Sequence, residues 1–192
     1  MLTLVNVNRM LPAIAPVGLE YVAAAARHAG VETQIADLGL ADAPEATLDR
    51  ILAERPPSLV GISMRNVDDC FWPSAAWFLP DLRRWIDRIR HSTAAPICLG
   101  GVGFSIFAPE ILTQSGADFG LRGDGEAALI ALYKQLSGAR EFHRVEGLLW
   151  RRAHTIEANP PAWPRPWPDA CPRDLIDNRE YFRRGGQVGV ET

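Results

Sequence analysis

The chain has 192 residues, 47% hydrophobic and 22% charged, with a formal net charge of −3. That length supports one domain with an appended segment, and the near-neutral balance excludes a global bias toward nucleic acid or an anionic membrane. No window approaches the run of about 18 apolar residues that a membrane span needs, MLTLVNVNRM lacks the basic start of a signal peptide, and three scattered cysteines (Cys70, Cys98, Cys171) read as reduced thiols of a cytoplasmic protein.

In chain order, residues 2–7 (LTLVNV) read as a buried strand, followed by the polar break Asn8-Arg9. Residues 17–29 place Leu19, Val22, Ala23 and Ala26 on one helical face, and Gly30 ends that helix. Residues 31–38 alternate as a strand, 43–55 form an amphipathic helix with Pro44 in its first turn, and 58–64 (SLVGISM) form a third strand. Residues 74–92 are predicted helical with a kink or restart at Pro80. A fourth strand, 95–101, runs into glycines, a short helix covers 106–115, and a fifth strand covers 117–123. A helix over 124–138 carries acids in its first turn, and 145–159 read as two short strands joined around Arg152–His154.

Strands that are continuous apolar runs, alternating with helices, predict a parallel sheet covered on both faces. The expected fold is α/β: a flavodoxin-like (Rossmann-like), doubly wound, five-stranded parallel sheet with a small C-terminal hairpin. Residues 158–173 hold six prolines along with Trp163 and Trp167, which predicts an extended tail that docks through its tryptophans. Gln187–Thr192 reads as the start of a new strand.

Open parallel sheets bind ligands outside the carboxyl ends of their strands. The residues expected there are Asn8 and Arg9 after the first strand, and Met64, Arg65, Asn66, Val67 and Asp68 after the third. GGVGFS (100–105) follows the fourth strand and RGDGE (122–126) the fifth. GGVGFS admits close backbone approach, but it is not G-x-G-x-x-G and lacks the Lys-Ser/Thr of a phosphate loop. Taken alone, the glycines read as a tight turn and Arg65 as a surface ion pair with Asp68 or Asp69. The coincidence of four such loops on one edge favours a ligand site. No nucleophile–base pair or metal cluster stands among them, and the four histidines are scattered.

Four stretches, VNVNRMLPAIAPVGLEYVA, VGISMRNVDDC, PICLGGVGFSIFAPEIL and GADFGLRGDGEAAL, resemble the N-terminal cobalamin-binding domain of cobalamin-dependent radical SAM enzymes. Many cobalamin domains carry D-x-H-x-x-G after the first strand, where the histidine ligates cobalt. That place here holds Asn6, Asn8, Arg9 and Met10, so the resemblance implies no histidine lower ligand. Ser63 and Gly100-Gly101 match the family's other two signatures. The resemblance implies that Ser63 bonds the dimethylbenzimidazole base, that Gly100 and Gly101 leave room for the nucleotide tail, and that Val102 and Phe104 pack on the base or corrin edge. Asn8, Asn66 and Asp68 would meet the corrin amides. Arg9, Val67, Gly103, Gly123 and Glu126 complete the expected contact set. Arg65 would lie near the lower axial face of cobalt, where a guanidinium has no lone pair to offer.

The ending DNREYFRRGGQVGVET is similar to the segment that leads into a radical SAM barrel, whose C-x-x-x-C-x-x-C motif is absent here. Residues 1–157 are thus expected to be the cobalamin module, and 158–192 a linker and the start of a further domain. That downstream barrel, in cis, would hold the [4Fe–4S] cluster and S-adenosylmethionine. The chain alone is expected to be non-catalytic and its parent a methyltransferase-type enzyme. The rival readings are a stand-alone cobalamin carrier or sensor, and a flavin- or nucleotide-binding flavodoxin-like domain.

Overall fold

A strand whose residues are apolar on both sides has to be covered on both sides, and this requirement organises the molecule. The computed structural model describes residues 1–153, 155–161 and 173–189. β1 (Leu2–Asn6) is buried along its whole length, and β3 (Leu59–Ser63) and β4 (Ile97–Gly100) are buried except at their last residues. With β2 (Thr33–Asp37) and β5 (Phe119–Leu121) they form a parallel sheet in the order β2-β1-β3-β4-β5. This is the expected doubly wound, flavodoxin-like arrangement. The expected hairpin, β6 (Leu148–Arg152) and β7 (Thr155–Ala158), continues the same sheet antiparallel to β5, giving seven strands.

Successive strand residues serve opposite faces. Leu2, Leu4, Leu59 and Cys98 pack with Leu19, Ala23 and Ala26 of α1 (Val17–His28) and Leu129 and Leu132 of α6 (Glu126–Ser137). Val5, Val60, Ile62, Ile97 and Leu99 pack with three helices on the other face: α2 (Pro44–Glu54), α3 (Leu79–Ser92) and, past the short α4 (Val102–Ile106), α5 (Ala108–Ser115). Parallel strands joined by helices place all their carboxyl ends on one edge. The register levels those ends, with Asn6 opposite Ser63 and Ser63 opposite Gly100.

Two predicted boundaries move. The helix expected over 74–92 begins only at Leu79, and Pro80 sits in its first turn, where its missing N–H breaks no helical bond and no kink results. The helix expected over 106–115 is two helices, α4 and α5. Gly101, at φ 98°, turns the chain directly off β4, so a helix starts four residues earlier than the apolar pattern suggested.

The C-terminal segment returns to the sheet. α7 (Asn178–Gly185) is capped by Asp177, whose carboxylate accepts the Glu180 N–H. It inserts Tyr181, only 1% exposed, against Ala13, Ala15, Leu40 and Ile176. Residues 187–189 are not in a strand. The tryptophan-bearing stretch 162–172, with Cys171, lies outside the described residues, as do His154 and the last three residues of the expected strand over 187–192.

Candidate functional site at the carboxyl edge

Two clefts open side by side at the carboxyl ends of the strands, with volumes of about 640 and 710 Å³. Asn8, Ser63 and Arg65 line both, so the ends of β1 and β3 form the partition between them. This is the place where the strand order reverses direction, as expected for an open α/β sheet.

The first cleft is a slot between the sheet and helices α1 and α6. Leu4, Cys98 and Leu121 form part of its floor, and Leu19, Val22 and Leu129 part of its helical wall. Missing side chains keep it open. A Cβ on Gly100 would meet nothing nearer than the Leu121 carbonyl at 4.0 Å, and one on Gly18 would meet nothing within 4 Å. Both glycines line the slot, so a side chain at either would occupy it. Burial pushes the Cys98 thiol up, which keeps it protonated and makes it an apolar wall atom rather than a thiolate. The Ser63 hydroxyl at the mouth makes no hydrogen bond to a described residue. Val102 and Ile106 stand at the rim, 70% and 61% exposed.

The slot's far rim is tied together by Ser105, the last residue of GGVGFS, to which the sequence alone assigned no contact. Its hydroxyl donates to the Gly101 carbonyl and accepts the Gly123 N–H, joining the loop after β4 to the loop after β5. Gly123, Asp124 and Glu126 line the slot from that side.

The second cleft lies toward α2 and α3. Arg9 lines it while donating to the Leu38 and Ala41 carbonyls at 2.6 and 2.8 Å. Those bonds fix the loop after β1 on the loop after β2. Asp69 holds the 71–76 turn by accepting the Phe71 and Ala76 N–H groups, and Phe71, Phe78 and Trp85 give the cleft an aromatic wall. Arg65 is exposed and donates to the Asn66 side chain at 2.8 Å. The ion pair with Asp68 or Asp69 that its neighbours suggested is absent among the described residues.

Four expected contacts are not brought to the clefts. Phe104 is fully buried on the α3 side, filling the space over Gly120, because α4 turns that face inward. Gly103 is needed by the chain itself, since a Cβ there would sit 2.8 Å from the Asn66 backbone. Val67 packs on the core. Asp68 caps its own turn, accepting from the Cys70 backbone N–H and thiol at 2.9 and 3.0 Å. The described histidines, His28, His91 and His143, are exposed and line neither cleft, and no group of three metal-ligating side chains occurs among the described residues.

The structure adds a polar assembly behind the partition. Asn6, 1% exposed, donates to Asp37 and to the Tyr181 hydroxyl. Its side-chain oxygen accepts the Asn8 N–H, and the Asn8 side-chain oxygen in turn accepts the Met10 N–H. This leaves Asn8 Nδ2 as the one buried side-chain polar atom without a partner among the described residues. A buried amide donor at the junction of two clefts fits a ligand that brings an acceptor. An asparagine within an otherwise apolar strand was the available signal for Asn6; Tyr181 carried none.

A Rossmann-like sheet with an apolar slot beside a polar partition at its switch point can take a ligand that has both an apolar part and hydrogen-bonding groups. Residues 4–133 match the B12 binding domain, and the chain belongs to that family. It is 34% identical over 165 residues to a tryptophan 2-C-methyltransferase of Streptomyces laurentii, a match covering 83% of this chain and 27% of that protein. Among solved structures, it is similar to the radical S-adenosylmethionine methyltransferase TsrM of Kitasatospora setae. The form with tryptophan and a SAM analogue matches at TM-score 0.83 and 32% identity, over 96% of this chain and 37% of that one. The form with cobalamin and a [4Fe-4S] cluster matches at TM-score 0.79 and 32% identity, over 84% and 29%. The cobalamin-dependent radical enzyme OxsB shares the fold at TM-score 0.66 and 16% identity, over 84% of this chain and 22% of that one. The chain thus spans about a fifth to somewhat over a third of the length of these relatives. No helix among the described residues is long and apolar enough to cross a membrane.

Proposed function

We propose that this chain is the cobalamin-binding module of a radical SAM enzyme of the methyltransferase type. The observation that carries the reading is the slot between the sheet and α1/α6, with Ser63 at its mouth and the unpartnered Asn8 amide on its wall. The likeness to TsrM along 96% of the chain supports the assignment to a larger radical enzyme, in which the iron–sulfur cluster and S-adenosylmethionine belong to a separate barrel. Free Cys70 and Cys98 suit a reducing, cytoplasmic setting.

Bound cobalamin would supply a cobalt centre that can carry a methyl group. The slot would receive the nucleotide tail: Gly100 leaves its volume open, whereas Gly101 is glycine because a Cβ there would sit 2.8 Å from the Met64 carbonyl oxygen; Ser63 donates to or accepts from the base, and Leu4, Leu19 and Leu129 exclude water from the ring. Asn8 and Asn66 would meet corrin side-chain amides, and Val102 with Ile106 would cover the corrin edge. Arg65, on the partition, would stand on the lower side of the corrin as a charged group that cannot ligate.

Titration of the purified chain with hydroxocobalamin, and separately with flavin mononucleotide, tests the reading. Saturable binding of cobalamin and none of flavin is the expected result. Flavin binding without cobalamin binding would replace this reading with a flavodoxin-like one.

A further inference from the structure

The asparagine that faces both clefts is not positioned by its own loop alone. Asn8 hangs on Asn6, whose side-chain Oδ1 accepts the Asn8 N–H at 3.1 Å. The orientation of Asn6 is set from behind. Its amide donates to Asp37 Oδ1 at 2.8 Å and to the Tyr181 hydroxyl at 3.0 Å, and an asparagine held by two acceptors on its nitrogen cannot flip without losing both. Tyr181 closes the network by donating to Asp37 at 2.9 Å. Asp37 also accepts the Gly39 N–H, pinning the loop after β2 to the same point. Gly39 has to be glycine here, because a Cβ would clash with the Tyr181 hydroxyl and lie 2.8 Å from Asn6 Nδ2.

Tyr181 stands 175 residues from Asn6 in sequence. It arrives on α7, and α7 is held against the N-terminal part of the chain at two further points. Arg173 donates to the fully buried Glu20 at 2.6 Å, and Gly185 packs so closely on the Ala13 carbonyl that no side chain fits between them. Gly189, to whose carbonyl Arg173 donates, lines the slot itself. The C-terminal segment therefore reaches the site at its edge, through Gly189, and from behind, through Tyr181.

We propose that Tyr181 is a positioning residue for cobalamin: by way of Asp37 and Asn6 it fixes Asn8 as a ligand donor, so that docking of the C-terminal segment and formation of the binding loop are one event. The proposal rests on the cobalamin reading above. It assigns a binding role to a residue that touches neither cleft and lies beyond the stretch that matches the family.

The test is a double-mutant cycle on cobalamin affinity. Tyr181→Phe keeps the packed ring and removes only the hydroxyl, while Asn6 and Asp37 remain bonded to each other. Asn8→Ala removes the donor at the cleft. Each is expected to weaken hydroxocobalamin binding about tenfold, the size of one lost hydrogen bond to a ligand. The double variant is expected to be no weaker than either single one, because both act through the same donor. Melting temperatures of the cobalamin-free proteins separate this from general destabilisation. Should Tyr181→Phe not fold, Asp37→Asn takes its place in the cycle, keeping the shape and weakening the shared acceptor. A lower melting point with unchanged affinity would overturn the proposal and leave Tyr181 a structural clasp. So would a double variant weakened by the full product of the two single effects. If the unmodified chain does not bind cobalamin at all, the cobalamin reading falls and this proposal with it.

Discussion

Gly100 and Arg65 show how much a single side chain, or its absence, decides at this edge. The space beside Gly100 is bounded only by the Leu121 carbonyl at 4.0 Å, so Gly100→Val would place an isopropyl group in the slot while leaving the strand intact, since valine favours strands. Cobalamin affinity is expected to fall at least about a hundredfold, with little change in melting temperature, because the loss is steric exclusion rather than a lost contact. Competition with the tail-less precursor cobinamide checks the cause: its binding should be nearly unaffected. Arg65 makes the opposite kind of prediction. The electron paramagnetic resonance spectrum of bound cob(II)alamin is expected to lack nitrogen superhyperfine splitting from an axial ligand. A triplet splitting would refute the unligated lower face. The sequence pointed to both residues because each stands at or just past the carboxyl end of a strand. It misled at Phe104, whose place after GGVG suggested ligand contact. The burial of a residue on a one-turn helix depends on which way that helix rolls, and no periodicity exists over five residues to reveal it.

Among the elements, α7 carries the most pronounced electrostatics. Arg183 and Arg184 hold the Glu180 carboxylate down at about 2, from the usual 4.5. A depressed carboxylate stabilises the fold above its unfolded-state value and loses that contribution as pH falls through its folded-state value. The melting temperature should therefore slope downward between about pH 4.5 and pH 2, and Glu180→Gln should flatten part of that slope. The effect is small because both arginines are exposed to solvent; differential scanning calorimetry over that range measures it. The core helices are simpler. Ile86 of α3 is 1% exposed within the α2/α3/α5 layer, so Ile86→Ala is expected to cost about 2–5 kcal/mol in a urea melt. The pattern of α3 was readable from Leu82, Ile86 and Ile89. Its start was not, because Ser74-Ala75-Ala76-Trp77 has no helix-breaking residue, and what holds that stretch in a turn is the Asp69 carboxylate accepting the Ser74 hydroxyl and the Ala76 N–H.

At the level of the whole molecule, the doubly wound parallel sheet and the gathering of its loops at one carboxyl edge follow from local patterns, and both were legible: apolar runs, intervening helices and glycines after β4. What was not legible is the closure of the chain on itself, because it depends on pairs more than 140 residues apart. Glu20 has no exposure and Arg173 is its cationic partner, at a separation of 153 residues. Arg173→Ala would leave that carboxylate buried with only the Asn178 amide bonded to it. Breaking a buried pair from one side costs about 3–5 kcal/mol, so a loss of that order is expected in chemical denaturation. Protease sensitivity should rise first near residue 173. Nothing local in the sequence of α1 marks Glu20 as a buried anion, because its partner lies 153 residues away.

The level ending of β1, β3 and β4 has one more consequence. Asn6, Ser63 and Gly100 sit opposite one another in the ladder, and neighbouring strands are about 4.8 Å apart. The row is therefore a ruler with fixed graduations, close to 10 Å from first mark to last. Its spacing belongs to the backbone and cannot drift. Substitution rewrites what is printed at each mark, amide, hydroxyl or gap, but a shift of one residue in pairing would turn the Ser63 side chain to the opposite face of the sheet. Variation at this edge can therefore retune which chemistry meets a ligand while the distances between those chemistries stay constant.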